Sequence, residues 1–310
     1  MILTFTANPA VDKTLFVDHI DPGGKHRNTR YTCVPGGKGC NVSRVVKTLG
    51  YDTAAMIIAA GHTGRHVVDM ITQDDGVRAV PFWTDGMTRT ITTVLEEATH
   101  RQSAFFEPGP TLTPAQIDRL VDTYRAAVAG VPVATFNGAV QHHSLRTLYC
   151  RLIAAAHEAG ARCILDSYGA EFAEALEAGP YMVKPNVQEA AGVAGFPLTT
   201  REDQWRAVEF FHQRGVRLVV LSLGAEGALV SCNGQRYHAV PPAITEVNPV
   251  GSGDALVAGF AVGVQEGWDL ARMTRLACAA GTANAMSWDI GHFKPVTVQE
   301  LAARVTLHPG

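Results

Sequence analysis

The chain reads as an α/β protein, a parallel sheet covered by helices on both faces with a smaller sheet beside it. Two observations predict this. From about residue 112 onward, short apolar runs alternate with segments whose apolar residues recur at helical spacing, and such alternation builds a parallel sheet between helix layers. Between residues 14 and 34, and again between 88 and 107, strand-like pieces follow one another with no helix between them, which predicts a small antiparallel sheet outside the main one. The composition agrees: 310 residues, 46% hydrophobic and 18% charged, are an ordinary globular make-up with enough chain for a large core. A net charge of −3 argues against a nucleic-acid or membrane-surface partner. The six cysteines are scattered without C-x-x-C spacing and several sit in apolar runs, so they read as reduced thiols of a cytoplasmic protein. The first residues, Met-Ile-Leu-Thr-Phe-Thr, read as a strand and not a signal peptide, and no apolar run is long enough to span a membrane.

In chain order, residues 2–6 form a buried strand and Asn-Pro-Ala-Val-Asp (8–12) a turn. Asp12 there either meets a polar ligand at the strand end or bonds its own backbone. Phe16, Val17 and Ile20 are short apolar steps, Asp21-Pro22-Gly23-Gly24 is a turn, and 27–34 an exposed polar strand. Next comes Pro-Gly-Gly-Lys-Gly-Cys-Asn-Val (35–42), a glycine-rich turn from which Val42, Val45, Val46 and Leu49 carry a helix to Gly50. Its spacing is neither that of a Walker A loop nor that of a G-x-G-x-x-G fingerprint. Its glycines would let backbone N–H groups and Asn41 approach a polyhydroxylated ligand, with Lys38 attracting a phosphate; a strand–helix turn with a solvated lysine fits equally. Residues 53–60 are a strand and 65–72 a helix. Arg89 opens the run 88–97, where a guanidinium suits a substrate phosphate or carboxylate, or is a surface arginine on an edge strand; 102–107 completes the small sheet.

Helices at 115–128, 145–157, 170–176, 187–193 and 201–214 then alternate with strands at 133–136, 162–165, 181–184 and 216–222. Residues 224–227 turn into a hairpin of 228–232 and 235–240, and 270–287 is a long apolar helix, with 298–305 closing the chain. The whole is one unit, 1–310, with lid strands contributed by about 14–34 and 88–107.

The stretch 248–260, Asn-Pro-Val-Gly-Ser-Gly-Asp-Ala-Leu-Val-Ala-Gly-Phe, carries the chemistry. Gly251 and Gly253 make a turn; Leu256, Val257, Phe260 and Val264 recur at helical spacing, and Gly267 is a stop. A glycine turn into a helix start leaves free N–H groups and partial positive charge at one spot, which holds an anion, and Asp254 stands on its rim. An anion cradle beside a carboxylate is what phosphoryl transfer to a hydroxyl needs; a helix-capping aspartate after an ordinary turn would look the same. The twelve histidines form no ligand cluster, the adjacent His142 and His143 sharing no face, and no G-x-S-x-G elbow is present.

Five stretches in order, Asn-Pro-Ala-Val-Asp (8–12), Gly-Gly-Lys-Gly-Cys-Asn-Val (36–42), Lys-Pro-Asn-x-x-Glu (184–189), Ser-Leu-Gly-Ala-Glu-Gly-Ala (222–228) and Val-Gly-Ser-Gly-Asp (250–254), resemble the ribokinase-like PfkB sugar kinases over about residues 2–305. The hexose-phosphate branch, with 1-phosphofructokinase, the minor 6-phosphofructokinase and tagatose-6-phosphate kinase, is the nearest in pattern. The resemblance implies a three-layer α/β/α sandwich with a β-lid, a homodimer through that lid, ATP as donor and Mg²⁺ as cofactor. It implies Asp254 as catalytic base, with Gly251, Ser252 and Gly253 as the anion hole. It places Lys184, Asn186, Ser222, Gly224, Glu226, Gly227, Gly253 and Asn284 at the nucleotide. Asp12, Gly37, Lys38, Asn41 and Gly138 fall around the sugar, and Lys25, Lys38 and Arg89 around a substrate phosphate. Asn186 and Glu189 would organise Mg²⁺, largely through water; their spacing suits a hard-oxygen site and equally a capping box.

The sequence departs from the family's Ser-Gly-Ser-Leu-Pro at 137–141, a loop near the sugar, and carries Pro249 and Ser252 where Thr and Ala are usual. An ATP-dependent kinase of a ketohexose phosphate is therefore the leading reading. A kinase of an unphosphorylated sugar or a nucleoside, and a non-catalytic sugar or nucleotide sensor on the same fold, remain as alternatives.

Overall fold

The computed structural model describes residues 1–27, 29–140 and 145–310; Gln141 and the pair His142 and His143 lie outside them. Fourteen strands are described: β1 (Ile2–Thr6), β2 (Ala10–Val17), β3 (Arg30–Gly36), β4 (Thr53–Ala60), β5 (Arg78–Thr84), β6 (Arg89–Glu96), β7 (Arg101–Phe106), β8 (Val133–Asn137), β9 (Arg162–Asp166), β10 (Met182–Val183), β11 (Leu218–Ser222), β12 (Ala228–Cys232), β13 (Gln235–Val240) and β14 (Thr306–Pro309). Ten of them form the main sheet in the order β14-β13-β12-β11-β10-β9-β8-β1-β4-β5. The span from β11 to β5 is parallel, and β12, β13 and β14 add an antiparallel edge.

The helices are α1 (Lys38–Thr48), α2 (Gly61–Asp69), α3 (Pro114–Val128), α4 (Leu148–Glu158), α5 (Gly169–Leu176), α6 (Val187–Ala194), α7 (Arg201–His212), α8 (Ser252–Glu266), α9 (Leu270–Ala285) and α10 (Pro295–Arg304). Side chains alternate across the sheet, so each strand feeds two cores. Leu3, Phe5, Phe136 and Leu165 pack with Tyr124, Tyr149, Leu152 and Phe211 on one face. Ile2, Val133, Ile164 and Val220 pack with Val42, Val45, Phe260 and Ala277 on the other. Helices α3 to α7 thus cover one face and α1, α8, α9 and α10 the other, a three-layer α/β/α sandwich. Each fully buried phenylalanine or leucine contributes about 2 kcal/mol to holding these layers. Among the described residues, no helix is long and apolar enough to cross a membrane.

The second sheet, in the order β3-β2-β6-β7, is mixed and not wholly antiparallel. Its central pair β2–β6 is parallel, with Ala10 opposite Arg89 and Asp12 opposite Ile91. The physical reason is connectivity: β3, α1, β4, α2 and β5 intervene between β2 and β6, so a crossover and not a hairpin joins them. Asp12 lies inside β2 and not in a turn, because the strand begins at Ala10. Two strands escape the sequence pattern. The first, β5, contains Pro81 and mixed polar residues, a composition tolerated because it is the sheet edge. The other, β14, is four residues long and is held by pairing with β13.

The parallel strands β1, β8, β9 and β11 end together at Thr6, Asn137, Asp166 and Ser222, and the chain after β10 runs into Lys184. Ligands gather at such carboxyl ends in open α/β sheets. Helices α1 and α8 both start at this edge.

Candidate active site

The first residue of α8 is reached through a tight turn. Gly251 takes a left-handed φ of 82°, and a side chain there would run into Ile290, so glycine is required. Ser252 N–H closes the turn onto Pro249 O at 3.2 Å, and Ala255 N–H makes the first helical bond, to Gly251 O at 2.9 Å. Among the described residues, the N–H groups of Gly251, Gly253 and Asp254 have no main-chain acceptor. These three are free to form the expected anion hole, while the Ser252 N–H is engaged in the turn. No side chain caps the helix, so its dipole also faces this spot.

Asp254 is buried at the hole's rim and accepts from Asn41 Nδ2 at 2.8 Å. Burial pushes its carboxyl up to about 6; Lys38, the Asn41 donor and Lys184 oppose the rise, and the Asp166 charge adds to it. A carboxylate poised there is suited to take a proton near neutral pH. Asn41 is itself held by Arg44, whose Nη1 donates to Asn41 Oδ1 at 3.1 Å.

Beneath the hole lies a second charged group. Asp166, wholly buried at the end of β9, pairs with Lys184 Nζ at 3.1 Å and Lys38 Nζ at 3.5 Å. Burial pulls the Lys38 ammonium down, but Asp166, Asp254 and Glu189 outweigh it and hold it above its ordinary value. Lys184 Nζ also stands 3.4 Å from where a side chain on Gly253 would begin, so glycine leaves the ammonium open toward the hole. Positive charge therefore reaches the anion site from Lys38, Lys184 and the helix start together.

A cavity of about 670 Å³ opens on the other side of the α8 start. Asn186, Ser222, Gly224, Gly227, Ser252 and Gly253 line its polar end, and Pro241, Pro242, Ile244, Leu256 and Cys278 its apolar walls. Three expected nucleotide residues, Lys184, Glu226 and Asn284, are not part of its lining; Lys184 pairs with Asp166. Glu226 is exposed and pairs with Arg201 at 3.2 Å, because the turn at 224–227 points its side chain outward. Asn284 is buried: its Nδ2 donates to Val250 O at 2.8 Å and Ser252 Oγ at 3.2 Å, and its Oδ1 accepts from Gly291 N at 2.9 Å. It braces the hole's loop.

Asn186 and Glu189 form a capping box for α6, with Glu189 N donating to Asn186 Oδ1 at 2.8 Å and Asn186 N to Glu189 Oε2 at 2.9 Å. Each oxygen so used keeps further lone pairs, and Asn186 lines the cavity, so capping does not exclude a cation contact. Among the described residues no cluster of three His, Cys, Asp or Glu is placed to ligate a metal directly.

The lid supplies the facing wall. Burial raises the Asp12 carboxyl against the nearby charges of Arg44 and Arg89. Arg89 donates through Nη2 to Asn8 O at 3.2 Å, while its buried Nε has no hydrogen-bond partner among the described residues. Gly37 is the N-cap of α1, with φ 106° and no side-chain cap. Gly138 sits against Lys38, its carbonyl accepting from Tyr149 Oη at 2.7 Å and Ser167 Oγ at 3.0 Å. Lys25 stands exposed on the β2–β3 connection.

A family profile described as pfkB family carbohydrate kinase matches residues 6–287. The chain belongs to this family. It is similar to ATP-dependent 6-phosphofructokinase isozyme 2 of Mycobacterium tuberculosis, 34% identical over 91% of this chain and 83% of the relative. It is also similar to the 1-phosphofructokinase of Xanthomonas campestris pv. campestris, 32% identical over 98% of this chain and 97% of the relative. Among solved structures, the tetrameric inhibited form of phosphofructokinase-2 from Escherichia coli superposes with a TM-score of 0.89 at 30% identity, covering 98% of each chain. The protein is thus a phosphotransferase, a PfkB carbohydrate kinase acting on a sugar phosphate with ATP as donor.

Two residues of this kinase's site escape the sequence pattern. Asp166 follows a strand that reads as ending at 165; the available signal was a carboxylate at the carboxyl end of a central parallel strand. Arg44 sits between Val42 and Val45 on α1, outside every motif singled out in the sequence, and it is fully buried.

Proposed function

We propose that this kinase transfers the γ-phosphoryl of MgATP to a hydroxyl of a ketohexose phosphate: fructose 1-phosphate, fructose 6-phosphate or tagatose 6-phosphate. One observation carries the reading. A buried carboxylate, Asp254, shares the start of α8 with unpaired N–H groups, between a cavity of nucleotide size and a wall carrying Lys38 and Arg89. Asp254 removes the hydroxyl proton as the oxygen attacks, and the N–H groups of Gly251, Gly253 and Asp254 stabilise the charge on the moving phosphoryl. The apolar walls at Pro241, Pro242 and Ile244 take the base of the nucleotide, and Ser222, Gly224 and Gly227 lie along its polar parts. Asp12, Gly37, Asn41 and Gly138 hold sugar hydroxyls. The unpartnered Arg89 Nε, with Lys38, offers donors to the substrate phosphate.

Asn186 and Glu189 fit Mg²⁺ as hard oxygen donors beside the cavity, and would hold it largely through water. The ion, when bound, neutralises charge on the ATP phosphates. Residues 1–310 act as one kinase unit, and the mixed sheet closes as its lid to exclude water. Exposed Tyr31 and Phe105 share a lid face with Leu15 and Val94, an apolar patch suited to a homodimer through the lid. Six free thiols suit a cytoplasmic, reducing compartment.

A coupled ADP-release assay with MgATP over fructose 1-phosphate, fructose 6-phosphate, tagatose 6-phosphate, fructose and ribose tests the assignment. Preference for one phosphorylated ketohexose is expected. Preference for a free sugar would contradict the phosphate role of Lys38 and Arg89. Silence across the panel with tight ligand binding would favour a sensor.

A further inference from the structure

Among the described residues Arg44 is the largest fully buried side chain, and it ties its own helix to three other segments. Its Nε donates to Asp75 Oδ1 at 2.8 Å, its Nη2 to Pro35 O at 2.7 Å, and its Nη1 to Ile290 O at 3.2 Å and Asn41 Oδ1 at 3.1 Å. Pro35 lies at the root of the lid, paired with Val11 of β2. The segment beyond Ile290 leads back to the anion hole: Gly291 N–H donates to Asn284 Oδ1, and Asn284 Nδ2 donates to Val250 O and Ser252 Oγ. Gly291 packs so closely on Arg44 that a side chain there would meet its Cδ at 3.1 Å. The hydrogen bonds thus encircle the start of α8, from Asp254 through Asn41, Arg44, the 290–291 segment and Asn284 to the loop that begins the helix.

The amide of Asn41 shows what this ring does. One end donates to Asp254 and the other accepts from Arg44. A turn of the amide by half a rotation would set its oxygen against the Asp254 carboxylate and its NH₂ against the guanidinium. Arg44 has only donors, so it selects the orientation that presents a donor to Asp254. We propose that Arg44 is a positioning residue of the transfer site, fixing Asn41 toward Asp254 and keeping the anion-hole loop in register with that carboxylate. The proposal rests on the reading of Asp254 as base.

The test is Arg44→Lys, which keeps a cation beside Asp75 and Asp12 but loses the fork that bonds Asn41, Pro35 and Ile290 together. The groups that face Asp254 are Lys38 and Asn41 from α1, Asp166 from the end of β9 and Lys184 after β10. Around Arg44 stand Asp75, His292 at 3.9 Å from Asp75, Asp12 and the Cys40 thiol. Of these only Asn41 is released by the substitution, so Asp254 loses a donor to its charged form and its proton is held more tightly. The folded variant is expected to lose about 100-fold in kcat, the scale of a misplacement near 1 Å, with the KM for MgATP within about threefold of the parent. The acid limb of its kcat/KM profile should move to higher pH by about half a unit or more. Thr48→Val is the control: it removes a different bond to the same segment, Thr48 Oγ1 to Gly291 O, and should leave kcat within about twofold and the limb in place.

A folded Arg44→Lys protein with near-parental kcat overturns the proposal, and so does a fall in kcat with the limb unmoved, which would make Arg44 a packing residue only. If that variant does not fold, Asp75→Asn retains an acceptor for Nε and should show the same two changes in smaller size; their absence overturns the proposal equally. Asp254→Asn separates the two layers of argument. Turnover in that variant removes the base itself, whereas its loss together with an unaffected Arg44→Lys removes only the role of Arg44.

Discussion

The two walls of this site are built in opposite ways. On the α8 side the acidic groups are buried and already engaged within the protein, Asp254 with Asn41 and Asp166 with both lysines, and the amide of Asn284 holds the turn. On the lid side, Asp12 and Arg89 are half-buried, one guanidinium nitrogen has no hydrogen-bond partner among the described residues, and Lys25 is exposed. The first wall is set before substrate arrives, as electrostatic stabilisation of a transition state requires. The second leaves donors unspent, and a ligand must complete it. In the proposed mechanism the transfer chemistry sits on the first wall and the lid contributes to acceptor choice, and variants should separate the two.

The largest effect is expected from Asp254→Asn. Losing a positioned general base should lower kcat by about 10³-fold while sugar binding persists, measured by steady-state kinetics and calorimetry. Removing a buried carboxylate should not lower the melting temperature at pH 7.5, so a drop in activity there reports on chemistry and not folding. A smaller change of another kind is expected from Arg89→Ala. It should raise the KM of a phosphorylated sugar by about 10- to 100-fold, the value of a charge-assisted hydrogen bond, with little change for an unphosphorylated one. Equal losses on both substrates would place Arg89 on the transfer wall and break the division. The smallest change is expected from Glu226→Ala, whose exposed ion pair with Arg201 should leave the KM for ATP within about twofold.

Much of this division was legible in the sequence, and unevenly so. Gly251 to Asp254 pointed to the transfer wall only together with the other four stretches, because a capping aspartate after an ordinary glycine turn looks the same. The strand–helix alternation after residue 112 announced the main sheet by its periodicity. Residues whose role depends on long-range pairing were not legible. Asp166 acquires its meaning from lysines 128 positions before it and 18 after, a distance no local pattern spans. Arg44 sits on α1 outside every motif, and only Asp75, Pro35 and Ile290, folded around it, make burial tolerable. Glu226 and Asn284 matched the family pattern by position, yet one side chain faces solvent and the other serves the backbone. The parallel pairing of β2 with β6 was hidden because strand propensity carries no information on direction.

The pH dependence of kcat/KM on the preferred sugar, for the unmodified enzyme, tests the central claim most directly. The Asp254 carboxyl is raised from its ordinary value to about 6, so the base is charged above that pH and protonated below it. Because the raised value also means that the folded state holds this proton more tightly than the unfolded chain, protonating Asp254 between pH 6 and about 3.8 favours folding. A loss of activity there is therefore not unfolding driven by this group. The account predicts an acid limb with a midpoint near pH 6, reversible on returning to pH 8 and absent from the residual rate of Asp254→Asn. A profile flat to pH 4.5 in a folded protein, or the same limb in Asp254→Asn, would contradict Asp254 as the base.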